Sequence, residues 1–564
     1  MKWGVNIGYF ILITIILILV NAVANLWNGH VDLTDDKRFS LTQPTKDLLT
    51  ELKEPIYIKV LLEGEFPAGF TRLQNSTTEL LDRYKSYAPQ IIYEFVNPSE
   101  GANEEINARR QELAKDGILP TTLSYGEGDQ RTNKLIYPYA ICSYGSRQVV
   151  VNLLEEQVLG IPEEVVLNNS VSLLEYKFSN AIQKLTLQKK QNIVFTEGHG
   201  ELEPKQTAVL ETSLRQYYNT GRINMDSTYQ ISPEIDLVIV AKPRTEFDQR
   251  DQFLLDQYIM NGGSVMWLID KMNVNVDSIA RNQLYIPTVN ETGLEDLWFK
   301  YGFRLQPNLV LDLESSRIPQ VIGMAGDKPQ MELIKWPYHV LSFPITNHPI
   351  AKNLGRVNLL FPSTIDTIKT STPVEKLILL QSSPYTRYQL SPVRLNFQIL
   401  QQDFKSELFN KKPQALAVLL EGEFESAFKN RVGQDMLDVL NEIGVPFKER
   451  SPRTQQLVIS DGDIANNVID VQAQKFFPLG YNKFDRQTYT ANETFLLNAV
   501  EYMLDENAIL TARAKEVKLR LLDTIKARSE RTKWRIINIG IPILMLLLFG
   551  SFYRFIRKRK YGTA

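Results

Sequence analysis

The 564 residues carry 63 Lys/Arg against 65 Asp/Glu, a formal net charge of -2, with 43% hydrophobic and 23% charged side chains. That is globular composition, long enough for two or three separately cored domains and unlike a disordered scaffold. A single cysteine, Cys142, excludes an intrachain disulfide and any centre built from several thiolates, and four histidines (His30, His199, His339, His348) leave little for a metal cluster, so no cofactor is expected.

The near-neutral total hides an asymmetry. Residues 511–564 hold 14 Lys/Arg and 3 Asp/Glu, leaving 49 against 62 for everything before them. A basic segment beside an apolar one points to anionic membrane lipid, whereas nucleic acid would call for a basic face on the folded body.

In chain order, residues 1–29 come first, uncharged from Trp3 to Gly29 and containing Phe10-Ile-Leu-Ile-Thr-Ile-Ile-Leu-Ile-Leu-Val20. The run is long enough for a transmembrane helix, with Trp3 and Trp27 at its edges. Ala22-Val-Ala24 also has the small-x-small form of a signal-peptide cleavage site, which leaves cleavage as an alternative. Residues 30–188 read as one α/β domain. A polar collar leads to Thr42, which is expected to cap a helix near Pro44. Then come strand Ile56 to Leu62, helix Arg72 to Tyr87, strand Ile91 to Val96 and helix Asn103 to Lys115. Apolar runs Leu135 to Ser143 and Gln148 to Leu153 precede a helix near Ser172 to Leu187. The order suits a thioredoxin-like sheet, with Leu119-Pro120 where such folds carry a cis proline; without a Cys-x-x-Cys, redox chemistry is not expected.

Residues 189–505 read as a second, flavodoxin-like parallel-sheet domain. Strand Asn192 to Thr196 runs into Glu197-Gly-His-Gly-Glu201 and a helix from Leu202 to Tyr218. Strand Asp236 to Ala241, helix Gln249 to Met260, Gly262-Gly263 and strand Ser264 to Ile269 follow. Residues near 300–450 are proline-rich and look like an insertion before strand Gln456 to Ser460 and helix Glu493 to Leu504 complete the sheet. Residues 506–535 read as one charged helix, either a solvated surface helix or a strut into the uncharged segment Ile536 to Tyr553. The second transmembrane helix is placed at 536–555 and a basic tail at 556–564.

Parallel sheets place ligands in the loops after the carboxyl ends of their strands. Glu197, Gly198, His199, Gly200, Glu201, Asp270, Asp461 and Asp463 are therefore the candidate ligand-binding residues, able to do acid-base work or hold a cation, or simply to make turns. Leu61-Leu-Glu-Gly-Glu-Phe66 recurs as Leu419-Leu-Glu-Gly-Glu-Phe424. Glu63, Gly64, Glu65 and Phe66, with Glu421, Gly422, Glu423 and Phe424, are thus candidate partner-binding loops; the plainer alternative is a recurring strand-end turn. No residue is assigned as catalytic. The strand, Gly-Gly, strand arrangement resembles the class I glutamine amidotransferase-like fold, whose active members place a cysteine after the strand matching Ser264 to Ile269. Here that turn reads Asp270-Lys-Met-Asn273. No Gly-x-x-x-x-Gly-Lys-Ser/Thr loop is present, so ATP must be handled by another chain.

Leu61 to Phe70, Tyr93-Glu-Phe-Val-Asn-Pro98, Thr196 to Glu201, Asn347-His-Pro-Ile350, Val458 to Asp463 and Phe495 to Val500 occur in an order that resembles the gliding-motility-associated ABC transporter component GldG. The resemblance implies a non-enzymatic accessory subunit in a bacterial inner membrane, with both termini cytoplasmic and the body periplasmic. Its implied partners are an ABC permease subunit, a cytoplasmic ATPase subunit, membrane lipid and other envelope proteins. A stationary envelope scaffold and, behind it, an amidotransferase-like hydrolase remain alternatives.

Overall fold

The computed structural model describes residues 10, 12–19, 40–125, 132–155, 162–187, 189–281, 284–325, 328–397, 400, 405–442, 445–470, 472–505, 509–514 and 530–561. Two compact units divide the chain, one from Met1 to Lys515 and one from Glu516 to Ala564. Residues 12–19 are helical and exposed, but most of the expected first membrane segment, 1–29, lies outside the described residues.

The first unit holds two sheets. In the smaller one, Ile56–Val60 pairs in parallel with Ile91–Phe95 and antiparallel with Tyr139–Tyr144, which pairs antiparallel with Arg147–Asn152. Alternation along Ile56–Val60 sends Ile56, Ile58 and Val60 inward, where they meet Leu73, Leu80 and Tyr84 of helix Ala68–Tyr87 and Phe178 and Ile182 of helix Glu163–Thr186. The latter starts nine residues before its expected beginning, because Pro162 enters it and Glu163 and Glu164 favour its N-terminus. The expected apolar run at 135–143 breaks at Pro138: its first part closes a separate hairpin, Thr121–Tyr125 with Thr132–Ile136. Thr42 precedes helix Gln43–Thr50 without capping it; its hydroxyl pairs with that of Thr45 at 3.0 Å instead. The cis peptide bond among the described residues is Ser391-Pro392, so Leu119-Pro120 is not cis as expected.

The larger sheet has ten strands. Asn219–Asn224, Asn192–Glu197, Leu237–Ala241, Ser264–Leu268 and Arg450–Ile459 run parallel side by side. Val238, Val240, Val265, Trp267 and Val458 face one core, and Ile239, Ala241, Met266, Leu268, Leu457 and Ile459 face the other. A sheet covered on both faces makes its central strands apolar throughout, which is why they were readable. Asn219–Asn224 was not expected as a strand: Ile223 is its one large apolar side chain. The helix expected over Leu202 to Tyr218 is the shorter Ala208–Arg215.

Residues near 300–450 are not an irregular insertion. Ser315–Ala325, Lys328–Pro344, Val374–Gln381 and Ala415–Glu425 extend the same sheet antiparallel from Arg450–Ile459. Prolines such as Pro319, in the outermost strand, gave this half its irregular look; edge strands tolerate a missing N–H donor. Helix Ala491–Met503 packs on the sheet, and Ile509–Ala514, a 3-10 stretch rather than the start of one continuous helix, returns to the small sheet, where Ile509 joins the core.

The second unit contains helix Arg531–Tyr561 with Pro542 inside it. Its 29-residue stretch Arg531–Arg559 contains a segment long and apolar enough to cross a membrane, and its side chains are exposed.

Candidate functional site

Four loops leave the carboxyl ends of the parallel strands, after Glu197, Ala241, Leu268 and Ile459. Seven of the eight candidate ligand-binding residues lie in these loops, and the eighth, Glu197, ends its strand. Gly198 and Gly200 have φ of +119° and +72°, and a Cβ on Gly198 would come within 3.2 Å of the Asp226 carboxylate. This turn carries His199 inward until it is 4% exposed, stacked on Phe247 at 3.7 Å with the rings 10° apart. Its carbonyl accepts from the Arg244 and Thr245 amides at 2.8 and 3.0 Å, fastening neighbouring loops together.

His199 Nε2 is 3.2 Å from Asp251 Oδ2, and Nδ1 is 3.9 Å from Glu201 Oε1. The other Glu201 oxygen accepts the His199 backbone N–H at 2.7 Å. Asp251 lies in the first turn of Gln249–Met260, its N–H donating to the capping Asp248 carboxylate at 2.8 Å. Burial raises the Asp251 carboxyl above its ordinary range, helped by Asp248 and Asp226 and opposed by His199 and Arg250. His199, Asp226 and Asp251 offer ligand atoms all within 4.8 Å of one another. Neither Asp226 nor Asp251 was a sequence candidate. The only available signal was the place of Asp226 just after a strand and of Asp251 in the first turn of a helix, a signal that many aspartates share. Glu197 turns elsewhere and pairs with Arg222 at 2.9 Å.

The other candidates, Asp270, Asp461 and Asp463, converge on Lys242, whose Nζ is 3.0 Å from Asp270 and 2.5 Å from Asp463. Lys242 has φ +58°, an unusual left-handed conformation for a residue with a side chain. The Gly462 amide donates to Asp270 at 2.6 Å; the Asp463 and Leu360 amides donate to Asp461 at 2.8 and 2.7 Å. Burial raises Asp461 well above its ordinary range, and Asp270 and Asp463 add to that. Burial also works to raise Asp463, but Lys242 outweighs it and the carboxyl sits low. An ammonium already occupies the centre of this cluster, which therefore clasps the ends of three strands.

The repeated hexapeptides do not share a conformation. Glu63 to Phe66 follow a strand as a turn: Gly64 has φ +136°, Glu63 accepts from Gln74 at 2.8 Å, and Lys134 holds the Glu65 carbonyl at 2.7 Å. Glu63 also lines an open cleft of 600 Å³ with Phe95, Val96, Asn97, Glu100 and Arg109. Glu421 to Phe424 instead lie within strand Ala415–Glu425, paired on both sides, with Phe424 buried at 1% exposure and Glu421 accepting from Gln455 and Tyr502. Twin docking loops are thus not what the chain forms. The sheet pairing on both sides overrides a sequence that makes a turn elsewhere.

Asp270 stands in the turn after strand Ser264–Leu268, where no cysteine is present. Cys142 is 0% exposed in the other sheet, its thiol pushed up to about 12 by burial, which leaves no thiolate at neutral pH.

The family model described as ABC-type uncharacterized transport system matches residues 190–499, the span of the larger sheet, and a domain of unknown function matches residues 35–143. An uncharacterized protein of Borreliella burgdorferi is 20% identical over 558 residues, covering 97% of this chain and 96% of that protein. A solved structure, the mmIFT52 N-terminal domain, aligns over 56% of this chain and 97% of its own at 13% identity with a TM-score of 0.30.

Proposed function

The chain belongs to the ABC-type transport auxiliary family, and from that premise we propose that it is a non-catalytic accessory subunit of the gliding-motility GldG kind, permanently anchored beside a separate permease and ATPase. The observation that carries the reading is the family match across the body followed by a helix able to cross a membrane. Supporting it, the sequence lacks a phosphate-binding Gly-Lys loop, so the energy source is another chain. The small sheet's strand order, a parallel pair on one side joined antiparallel to a hairpin on the other, supports the thioredoxin-like assignment. The five parallel strands support the flavodoxin-like one. The buried, protonated Cys142 and the Asp270 turn argue for an amidotransferase-like scaffold without its chemistry.

In this reading the N-terminal apolar segment is a second anchor, both termini are cytoplasmic and the body is periplasmic. The body takes part in protein contacts or substrate handling while the transporter cycles. Purification from native membranes in mild detergent tests it: the permease and ATPase are expected to accompany the chain. Recovery of the chain with envelope proteins but neither transporter subunit would favour the stationary scaffold.

A further inference from the structure

The proton on His199 cannot serve both of its neighbours. A neutral imidazole carries one N–H, yet Asp251 Oδ2 lies 3.2 Å from Nε2 and Glu201 Oε1 lies 3.9 Å from Nδ1. With the proton on Nε2, Asp251 is satisfied, and Nδ1 and Glu201 Oε1 are left without hydrogen-bond partners, in side chains only 5% and 2% exposed. Such buried, unpartnered polar atoms are costly and call for an explanation. With the proton on Nδ1, the N–H points toward Glu201 Oε1 across 3.9 Å, longer than a hydrogen bond, and the bare Nε2 faces carboxylate oxygens.

A divalent cation resolves both arrangements at once. It takes the Nε2 lone pair together with the Asp226 and Asp251 carboxylates, and the ring proton moves to Nδ1, where Glu201 Oε1, now 3.9 Å away, accepts it once that gap closes. Metal-bound histidines ordinarily donate their other N–H to a carboxylate in this way. We propose that His199, Asp226 and Asp251 bind one divalent first-row metal ion of the Zn²⁺ or Mn²⁺ class, with Glu201 orienting the imidazole.

The surroundings fit. The three ligand atoms already lie within 4.8 Å of one another, so bonds of about 2.0–2.2 Å to a shared ion need only a small inward shift of the exposed Asp226. Glycine at 198 leaves room for the Asp226 carboxylate, and Phe247 fixes the ring plane. Arg250 takes Asp251 Oδ1 at 3.0 Å, leaving Oδ2 turned to the histidine. One imidazole and two carboxylates, without a thiolate, suit a borderline or hard divalent ion rather than Cu(I). Asp226 is the exposed member, so the ion can enter there and keep water on its open side. The Lys242 cluster is the internal contrast: its carboxylates are met by donors and a resident ammonium.

The test uses the tag-free full chain in detergent, stripped by chelator and titrated calorimetrically with Zn²⁺ and with Mn²⁺, the stoichiometry being read by elemental analysis. One ion per chain is expected. Asp226→Asn and Asp251→Asn should abolish saturable binding, and Glu201→Gln should weaken it about 10- to 100-fold. Asp461→Asn should bind as wild type. Thermal melts of the metal-free variants check folding, and exposed Asp226 makes its variant the decisive one. A wild-type chain that binds neither ion saturably, or an Asp226→Asn chain that binds as tightly as wild type, overturns the proposal. The inference does not depend on the transport reading.

Discussion

Glu501 offers the sharpest test of how the two sheets are held together. Helix Ala491–Met503 presents its carboxylate to Tyr176, Asn180 and Lys184 on helix Glu163–Thr186, with the Glu501 and Lys184 side chains 14% and 12% exposed. Burial works to raise the Glu501 carboxyl; Lys184, Tyr176 and Asn180 outweigh it and hold the carboxyl below its ordinary range. Glu501→Gln keeps an acceptor for Tyr176 and Asn180 but leaves the Lys184 ammonium buried without its counter-charge. Breaking a buried pair from one side costs about 3–5 kcal/mol, whereas replacing both charges is often near neutral. Glu501→Gln and Lys184→Met should therefore each cost about 3–5 kcal/mol, and the double variant should fall within about 1.5 kcal/mol of wild type.

Urea titration of the full chain carries its own probes. Trp267, Trp298 and Trp336 are buried around the large sheet and Cys142 is buried in the small one, so tryptophan emission and thiol modification follow the two bodies separately. Because the folded-state pKa of Glu501 is depressed, its contribution is complete above the ordinary glutamate pKa and disappears as pH falls through the lower folded value. The gap between wild type and Glu501→Gln should thus close below about pH 4.3. A single variant within about 1 kcal/mol of wild type at neutral pH, or a gap that widens on acidification, would refute the reasoning.

Gly422→Ala should destabilise the chain more than Gly64→Ala, because its Cβ would stand 2.4 Å from the Pro373 carbonyl whereas that of residue 64 meets nothing closer than 3.4 Å; urea midpoints of the two variants decide this. His339 is fully buried with neither ring nitrogen partnered, and burial lowers it to about 3. His339→Phe, facing Phe361 and Phe484, should be neutral or stabilising by about 1 kcal/mol in the same titration. Val321, Ile322, Met324 and Met331 on the outermost hairpin are 58%, 49%, 65% and 54% exposed, so each change to serine should shift stability by less than about 0.5 kcal/mol while co-purification reports any loss of partners.

Local patterning was enough for the central strands. Leu237–Ala241 is apolar at every position, and Ser264–Leu268 at all but Ser264, because both faces are covered. The same patterning gave Ile56–Val60 and the helix after it, as well as the apolar stretch near the C-terminus. The candidate loops were legible because they follow such strands, and the chain does bring Glu197 to Glu201, Asp270, Asp461 and Asp463 to one edge of the sheet. What sequence could not reveal is which of these side chains share an atom-scale neighbourhood. Lys242 neutralises Asp270 and Asp463 from a different loop, and Asp226 and Asp251 reach His199 from two more. Nor could a hexapeptide present twice disclose that one copy turns and the other is locked between strands. Hydrophobic periodicity is a property of neighbours along the chain. Ion pairing and register depend on residues far apart in the chain, 25 positions for Glu197 and Arg222 and 317 for Lys184 and Glu501, and only the packed sheet sets those distances.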